Sequence, residues 1–183
     1  MKKFKNLKLE DIQELVSSND KQRFKIIKEN EEFYIRANQG HSMEGIQIEM
    51  DEITKDSNIE ICVHGTYYKA IENILKEGLC KMSRQHIHFA IGLPGDSGKN
   101  KKKKKKFFKK KNFFVLKGVI SGMRKTCEIL IYLDLEKALK DGIQFQKSEN
   151  GVILSPGVGE KGLIEPKYFQ KIIDVKTMKE YEK

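Results

Sequence analysis

The sequence predicts an α+β fold in which a helix and a β-hairpin precede a compact, strand-rich unit with two helices. Three observations predict it. The front of the chain carries one run of helical apolar periodicity, two alternating runs follow it, and short apolar runs set off by Gly, Asn and Asp fill the chain beyond residue 58. With 183 residues, 38% of them hydrophobic, the chain is long enough for one or two small cores and no more.

Leu7, Leu9, Ile12, Leu15 and Val16 recur at helical spacing and predict an amphipathic helix that ends before Ser18-Asn19-Asp20. Phe24 and Ile26, then Phe33 and Ile35, alternate on either side of the polar turn Lys28-Glu29-Asn30-Glu31, the pattern of a hairpin. A helix followed by a hairpin is compatible with the back half of a winged-helix unit, here residues 1–55. The polar stretch Asp51 to Asn58 reads as a linker into a second lobe, residues 56–183. In that lobe Ile59 to Val63 is expected as a strand, His64-Gly65-Thr66 as a turn, and Tyr67 to Glu77 as a helix capped by Gly78. Gln85 to Ala90 is the next strand. A Lys-rich, low-complexity insertion at about 95–117 follows. Cys127, Ile129, Ile131 and Leu133 line one face of a further strand, and Asp134 can cap a short helix from Leu135 to Lys140. Ile143 to Gln146 and Val152 to Leu154 flank the hairpin signal Asn150-Gly151, and Lys171 to Val175 is the last strand. The sequence has no internal repeats.

The net charge of +10 is not spread over the fold. Ten lysines and no acid lie between Lys99 and Lys111, and the remaining 26 basic residues balance 26 acidic ones. Two readings of that block stand: a solvated insertion, because like charges repel and bury little apolar surface, or an arm that tracks phosphates. In the second reading Phe107, Phe108, Phe113 and Phe114 would stack on bases. Cys62, Cys80 and Cys127 form no Cys-x-x-Cys motif and no disulfide framework, so a reducing, intracellular setting, cytoplasmic or nuclear, is expected. No apolar run reaches the ~20 residues that cross a bilayer, and Met1-Lys-Lys-Phe-Lys-Asn has no apolar stretch behind it to form a secretory signal.

Only four of the 36 basic residues are Arg: Arg23, Arg36, Arg84 and Arg124. A chain so rich in Lys has little need of Arg for solubility, so each is a candidate for work that requires a planar, bidentate fork. The histidines His41, His64, His86 and His88 fall in the same neighbourhoods. In the strand Met82 to Phe89, a side-chain period of two puts Arg84, His86 and His88 on one face. Three readings fit that face: structural histidines on an exposed edge, a His-x-His metal site completed by His64 or Cys80, or a site for an anion or dinucleotide.

Arg36-Ala-Asn-Gln39-Gly-His41-Ser42, His64-Gly65-Thr66, Arg84-x-His86-x-His88, Ser121-Gly122-Met-Arg124 and Ser148-x-Asn150-Gly151-Val152 occur here in the order seen in the NAD-dependent RNA 2′-phosphotransferases, enzymes of tRNA splicing. The chain resembles that family from about Leu9 to about Val175. The resemblance implies a winged-helix RNA lobe joined to a lobe of the ADP-ribosyltransferase fold, with the active site in the cleft between them. It implies NAD as co-substrate and, as RNA partner, a spliced tRNA with an internal 2′-phosphate. The phosphate attacks the nicotinamide ribose, nicotinamide leaves, and a ribose hydroxyl then attacks phosphorus. The products are 2′-OH RNA and ADP-ribose 1″,2″-cyclic phosphate. No metal, membrane or protein partner is implied.

On that resemblance Arg23 and Arg124 are the catalytic arginines, docking the phosphate and stabilising developing charge. Gln39, His41, Ser42 and Arg84 would hold the flanking RNA. His64, Gly65, Thr66, His86, His88, Ser121 and Gly122 would hold NAD. Val152 matches the apolar residue this family carries where many ADP-ribosyltransferases have a Glu, an exchange the chemistry tolerates because the phosphate is already anionic. The family also carries an Arg-His pair on the first long helix of its RNA lobe, and no residues here match it. Two other classes are therefore kept: an ADP-ribosyltransferase acting on another acceptor, and a non-catalytic RNA- or NAD-binding relic.

Overall fold

The computed structural model describes residues 7–41, 50–92, 122–124 and 126–181. Helix α1 spans Leu9–Ser18, starting two residues after the first apolar position and running through Ser18. The Asp11 carboxylate accepts from the Lys8 N–H at 2.9 Å and so satisfies one of the free donors at the helix start. The hairpin follows as expected, β1 (Phe24–Glu29) against β2 (Glu32–Ala37), in antiparallel register from Phe24↔Ala37 to Glu29↔Glu32. Its turn residues Asn30 and Glu31 both take positive φ, 48° and 66°, the conformation that matches the twist of two-residue hairpins.

The stretch read as a linker is not one. Asp51–Glu52 form β3, paired with β8 (Gln146–Lys147), and a 3₁₀ turn covers Lys55–Ser57. Ile53 anchors the segment: it is 3% exposed, and its N–H donates to the Phe145 carbonyl at 2.9 Å. One apolar residue in a polar run is enough to pin it to a sheet.

The predicted turn His64-Gly65-Thr66 is also corrected. These residues lie in β4 (Val63–Thr66), which pairs along its whole length with β7 (Ile129–Leu133). β7 is flanked on its other side by β11 (Phe169–Asp174), giving the order β11-β7-β4. All five residues of β7 are buried, not one face alone, because a central strand covered on both sides reads as a continuous apolar run. A second sheet has the order β3-β8-β9-β6, with β6 (Ile87–Phe89) and β9 (Ile153–Ser155). Val63 and Ala90 exchange two backbone hydrogen bonds, at 3.0 and 2.8 Å, and so join the two sheets.

Helix α2 (Tyr68–Glu77) ends at Gly78, whose φ of 101° favours glycine. It leads into β5 (Leu79–Cys80), paired with β10 (Leu163–Ile164). Helix α3 (Leu135–Lys140) is capped as the sequence predicts, with the Asp134 carboxylate accepting from the Lys137 N–H. One core, built on Phe89, Phe145, Ile71, Ile129, Ile131 and Ile153, packs α2 and α3 against the sheets, while α1 buries no residue. A smaller one gathers Val63, Met123, Cys127, Leu130 and Tyr132 behind β4. Each of these large side chains contributes roughly 1.5–3 kcal/mol on full burial. The cysteines are free. No helix among the described residues is long and apolar enough to cross a membrane. The Lys-rich segment at about 95–117 lies outside the described residues.

Candidate active site

The bridge between Val63 and Ala90 sets His64, one residue on, beside His88, two residues back. The His64 Nδ1–H donates to the His88 carbonyl at 2.9 Å, which leaves Nε2 as the ring nitrogen without a partner among the described residues. The ring meets Phe89 edge-on, at 5.9 Å and 68°. Burial lowers the pKa of His64, and the nearby Arg84 charge adds to the effect. His88 is 8% exposed, and its Nε2 is buried without a hydrogen-bond partner among the described residues. Burial pushes its pKa down to about 4, assisted by the Arg84, His86 and His64 charges. A Cβ added to Gly40 would stand 3.6 Å from that nitrogen, so the segment after β2 closes over it. His86 is lowered too, by burial and then by Lys81.

The common strand face expected for Arg84, His86 and His88 does not form. β6 begins only at Ile87, and all three of its residues are buried. Arg84 and His86 lie in the bend before it, where the Arg84 N–H bonds the Lys81 carbonyl at 3.2 Å. Met82, at φ 56°, turns the chain there and ends any alternation. The grouping survives by a different route: the exposed Arg84 acts electrostatically on both His64 and His88.

Gly65 is where Met123 packs. A Cβ at Gly65 would lie 2.4 Å from the Met123 Sδ and 3.0 Å from the Cys127 Cβ. At Gly122 it would lie 2.5 Å from a Val152 methyl and 2.9 Å from the Phe89 carbonyl oxygen. These two glycines let the Gly122–Arg124 segment lie against β4 and β6, and Val152 is fully buried beneath it. Thr66 is 6% exposed, its carbonyl accepting from the Glu128 N–H at 2.8 Å. Arg124 is exposed; the Tyr67 phenol shares a hydrogen bond with the Thr126 hydroxyl at 2.9 Å, and that bond, with the Arg124 charge nearby, holds the phenol's pKa below its ordinary value.

The turn that carries Arg23 is fastened to this surface. Lys21 Nζ donates to the Met123 carbonyl at 3.2 Å, and Asn150 Nδ2 donates to the Lys21 carbonyl at 3.1 Å. Asn150 is itself held by the Ser148 hydroxyl, at 2.7 Å. On the hairpin side Lys25 and Arg36 both pair with Glu149, at 2.7 and 3.3 Å. The Glu149 carboxyl lies below its usual range, chiefly through the Lys25 bond. The exposed Arg23 and Arg124 thus sit on segments tied to one another. Among the described residues no group of three or more His, Cys, Asp or Glu side chains is arranged to hold a metal ion.

The family model described as RNA 2′-phosphotransferase, Tpt1 / KptA family, matches residues 1–157. The chain belongs to the RNA 2′-phosphotransferase family. It is 40% identical to "tRNA 2′-phosphotransferase 1" of Danio rerio over 179 residues, which is 96% of this chain and 70% of that protein. It is 41% identical to the "Putative tRNA 2′-phosphotransferase" of Schizosaccharomyces pombe, covering 92% of this chain and 40% of the relative. Against the human "tRNA 2′-phosphotransferase 1" the identity is 39%, covering 94% of this chain and 61% of the relative. The chain therefore spans less than two thirds of the length of the fission yeast and human relatives. The family is one of transferases.

In this 2′-phosphotransferase family member, the segment of Gln39, Gly40 and His41 lies against His88 and Gln85. Gln39 and His41 follow β2; the His41 ring nitrogen bonds the Ala37 carbonyl at 3.2 Å, and the His41 carbonyl accepts from the Gln85 N–H at 3.2 Å, between Arg84 and His86. Ser42 and Ser121 lie outside the described residues. Sequence reasoning missed Lys21, Asn38 and Tyr67. Lys21 and Asn38 act on main-chain carbonyls of residues far away in sequence, which leaves no local pattern to read. Tyr67, directly after His64-Gly65-Thr66, was within reach had β4 been recognised as a strand.

Proposed function

We propose that this chain removes an internal 2′-phosphate from RNA, such as a spliced tRNA, by transferring it to NAD, with 2′-OH RNA, nicotinamide and ADP-ribose 1″,2″-cyclic phosphate as products. The observation that carries the reading is the tie between the Arg23 turn and the Met123-Arg124 segment, beside the strand of His64, Gly65 and Thr66. Two arginines free of carboxylate partners among the described residues, on segments fastened together, suit an anion of more than one charge.

The residues also suit NAD. Among the described residues the second ring nitrogen of His64 and the buried Nε2 of His88 have no hydrogen-bond partner, and the His88 nitrogen suits a donor such as a ribose hydroxyl or a carboxamide N–H. Both rings stay neutral near pH 7, so neither repels the positive nicotinamide ring. Bound there, NAD supplies an electrophilic ribose carbon and a good leaving group. Arg23 and Arg124 hold the RNA phosphate and spread its charge. Arg84, Gln39, His41 and Ser42 take the flanking phosphates and ribose, while His86, Ser121 and Gly122 complete the NAD side. The phosphate is anionic at pH 7 and needs no base, which fits a fully buried Val152 where a carboxylate would otherwise serve. In this reading residues 1–55 form a winged-helix-like RNA lobe and residues 56–183 an ADP-ribosyltransferase-like NAD lobe, with β3 reaching across to the second lobe's sheet. The setting is intracellular, cytoplasmic or nuclear.

The test is product analysis with NAD and a 2′-phosphorylated oligonucleotide. Formation of ADP-ribose 1″,2″-cyclic phosphate with 2′-OH RNA supports the reading. NAD consumption that labels another acceptor, or no NAD consumption at all, defeats it in favour of the two other classes.

A further inference from the structure

Asn38 lies in the Arg36-Ala-Asn-Gln39-Gly-His41 motif but has no role in the function so far. It is 4% exposed. Its side-chain Nδ2 donates to the Gln22 carbonyl at 2.7 Å, and its backbone N–H donates to the Arg23 carbonyl at 2.8 Å. One residue thus grips two successive carbonyls of the turn that carries Arg23. The same turn holds Gln22 in the left-handed region, φ 43°, where a side chain with a Cβ rarely rests without help. The Asn19 side chain completes the grip by accepting from the Arg23 N–H at 3.1 Å.

The amide's other atom does not explain its presence. Among the described residues Asn38 Oδ1 is buried with no hydrogen-bond partner, which disfavours an amide at this position. An apolar residue of the same size would avoid that cost and lose only the Nδ2 bond. The bond to Gln22 is then the reason for an amide here, and its effect falls on the backbone from which the Arg23 side chain leaves.

We propose that Asn38 is a positioning residue: it fixes the Gln22–Arg23 backbone so that Arg23 meets the RNA 2′-phosphate in a set direction, in register with Gln39 and His41 on the same segment. The proposal rests on the phosphate-docking reading of Arg23. It predicts loss of selectivity for the phosphate, not a general loss of RNA or NAD binding.

The experiment uses the full chain and compares its affinity, by fluorescence anisotropy, for one oligonucleotide with and without the internal 2′-phosphate. Arg23→Ala should collapse the ratio of the two affinities toward one. Asn38→Ala should lower that ratio about tenfold, leave affinity for the unphosphorylated RNA within twofold, and add nothing in an Arg23→Ala background. Asn38→Leu, which keeps about the size, removes the donor and buries no unpaired polar atom, should behave alike and serves if the alanine variant does not fold. A collapsed ratio in Arg23→Ala with a normal ratio in the folded Asn38 variant overturns the positioning role alone. A normal ratio in Arg23→Ala itself overturns the docking reading and this proposal with it.

Discussion

Lys21 Nζ donates to the carbonyl oxygen of Met123, 102 residues away in sequence, at 3.2 Å. The bond joins the residue two before Arg23 to the residue directly before Arg124, so it acts as a strut between the two arginines. Replacing Lys21 by Met keeps most of the stem and removes the donor. A hydrogen bond from a charged group contributes about 1.5–3 kcal/mol. If that energy serves the arrangement of the arginines, kcat/KM for 2′-phosphorylated RNA should fall at least tenfold while NAD affinity holds. Equal kcat/KM in steady-state assays would show the strut to be incidental.

Arg124→Lys should cost far more than conservation of charge suggests. A lysine keeps the point charge but not the planar fork that makes two directed bonds to a phosphate. The expected rate loss is about a hundredfold, the scale of removing one preorganised donor. The exposed position of Arg124 predicts an unchanged melting temperature. Near-normal turnover would mean that charge alone suffices there.

Excision of Gly98 to Asn112 should leave the fold and the chemistry intact and weaken RNA binding most at low salt. Gly122 packs against the Phe89 carbonyl, so the described chain on either side of this stretch is already brought together. Shortening the connection changes closure entropy by about 1 kcal/mol or less. The loss of ten lysines removes many potential counterion-releasing contacts. Thermal melting and a salt titration of RNA affinity report the two halves of the prediction, and an unfolded deletion variant contradicts the first.

Acid should destabilise the protein through His88. Its folded-state pKa is pushed down to about 4 from an ordinary value of 6.5, so between those values the unfolded chain binds a proton that the folded chain does not. The burden is absent above about pH 6.5 and grows as pH falls toward 4, reaching on the order of 3 kcal/mol. Urea denaturation from pH 8 to pH 4 should show this decline, and His88→Gln should flatten it. A variant with the parent slope would assign the acid sensitivity elsewhere.

The hairpin was legible because everything that defines it is local: two alternating runs and a turn. Asp134 was legible as a cap for the same reason. His64-Gly65-Thr66 misled because glycine ordinarily marks a turn, whereas here Gly65 is required by Met123, a neighbour no local pattern reveals. Ile53 and the shortness of β6 were hidden likewise, since pairing with β8 and the reversal at Met82 depend on tertiary contacts. The site was partly legible. The rarity of Arg singled out Arg23, Arg36, Arg84 and Arg124, and the motif order singled out the histidines; the structure pairs Arg36 with Glu149 and leaves the other three exposed. Asn38 and Lys21 could not be found this way, because any main-chain carbonyl can be their partner.

The position of β7 between β4 and β11 has a consequence for how the molecule comes to exist. β4 ends at Thr66 and waits for partners that start at Ile129, and β7 in turn waits for a strand that runs to Asp174. Sheets closed by such distant pairings form slowly, because chain entropy is lost before any contact rewards it. During synthesis α1 and the hairpin can form early, whereas the His64 strand stays without its sheet until β7 and β11 have both emerged. The candidate active site is therefore a late product of folding, and a nascent chain halted before β11 presents the Arg23 turn with an incomplete sheet beneath His64.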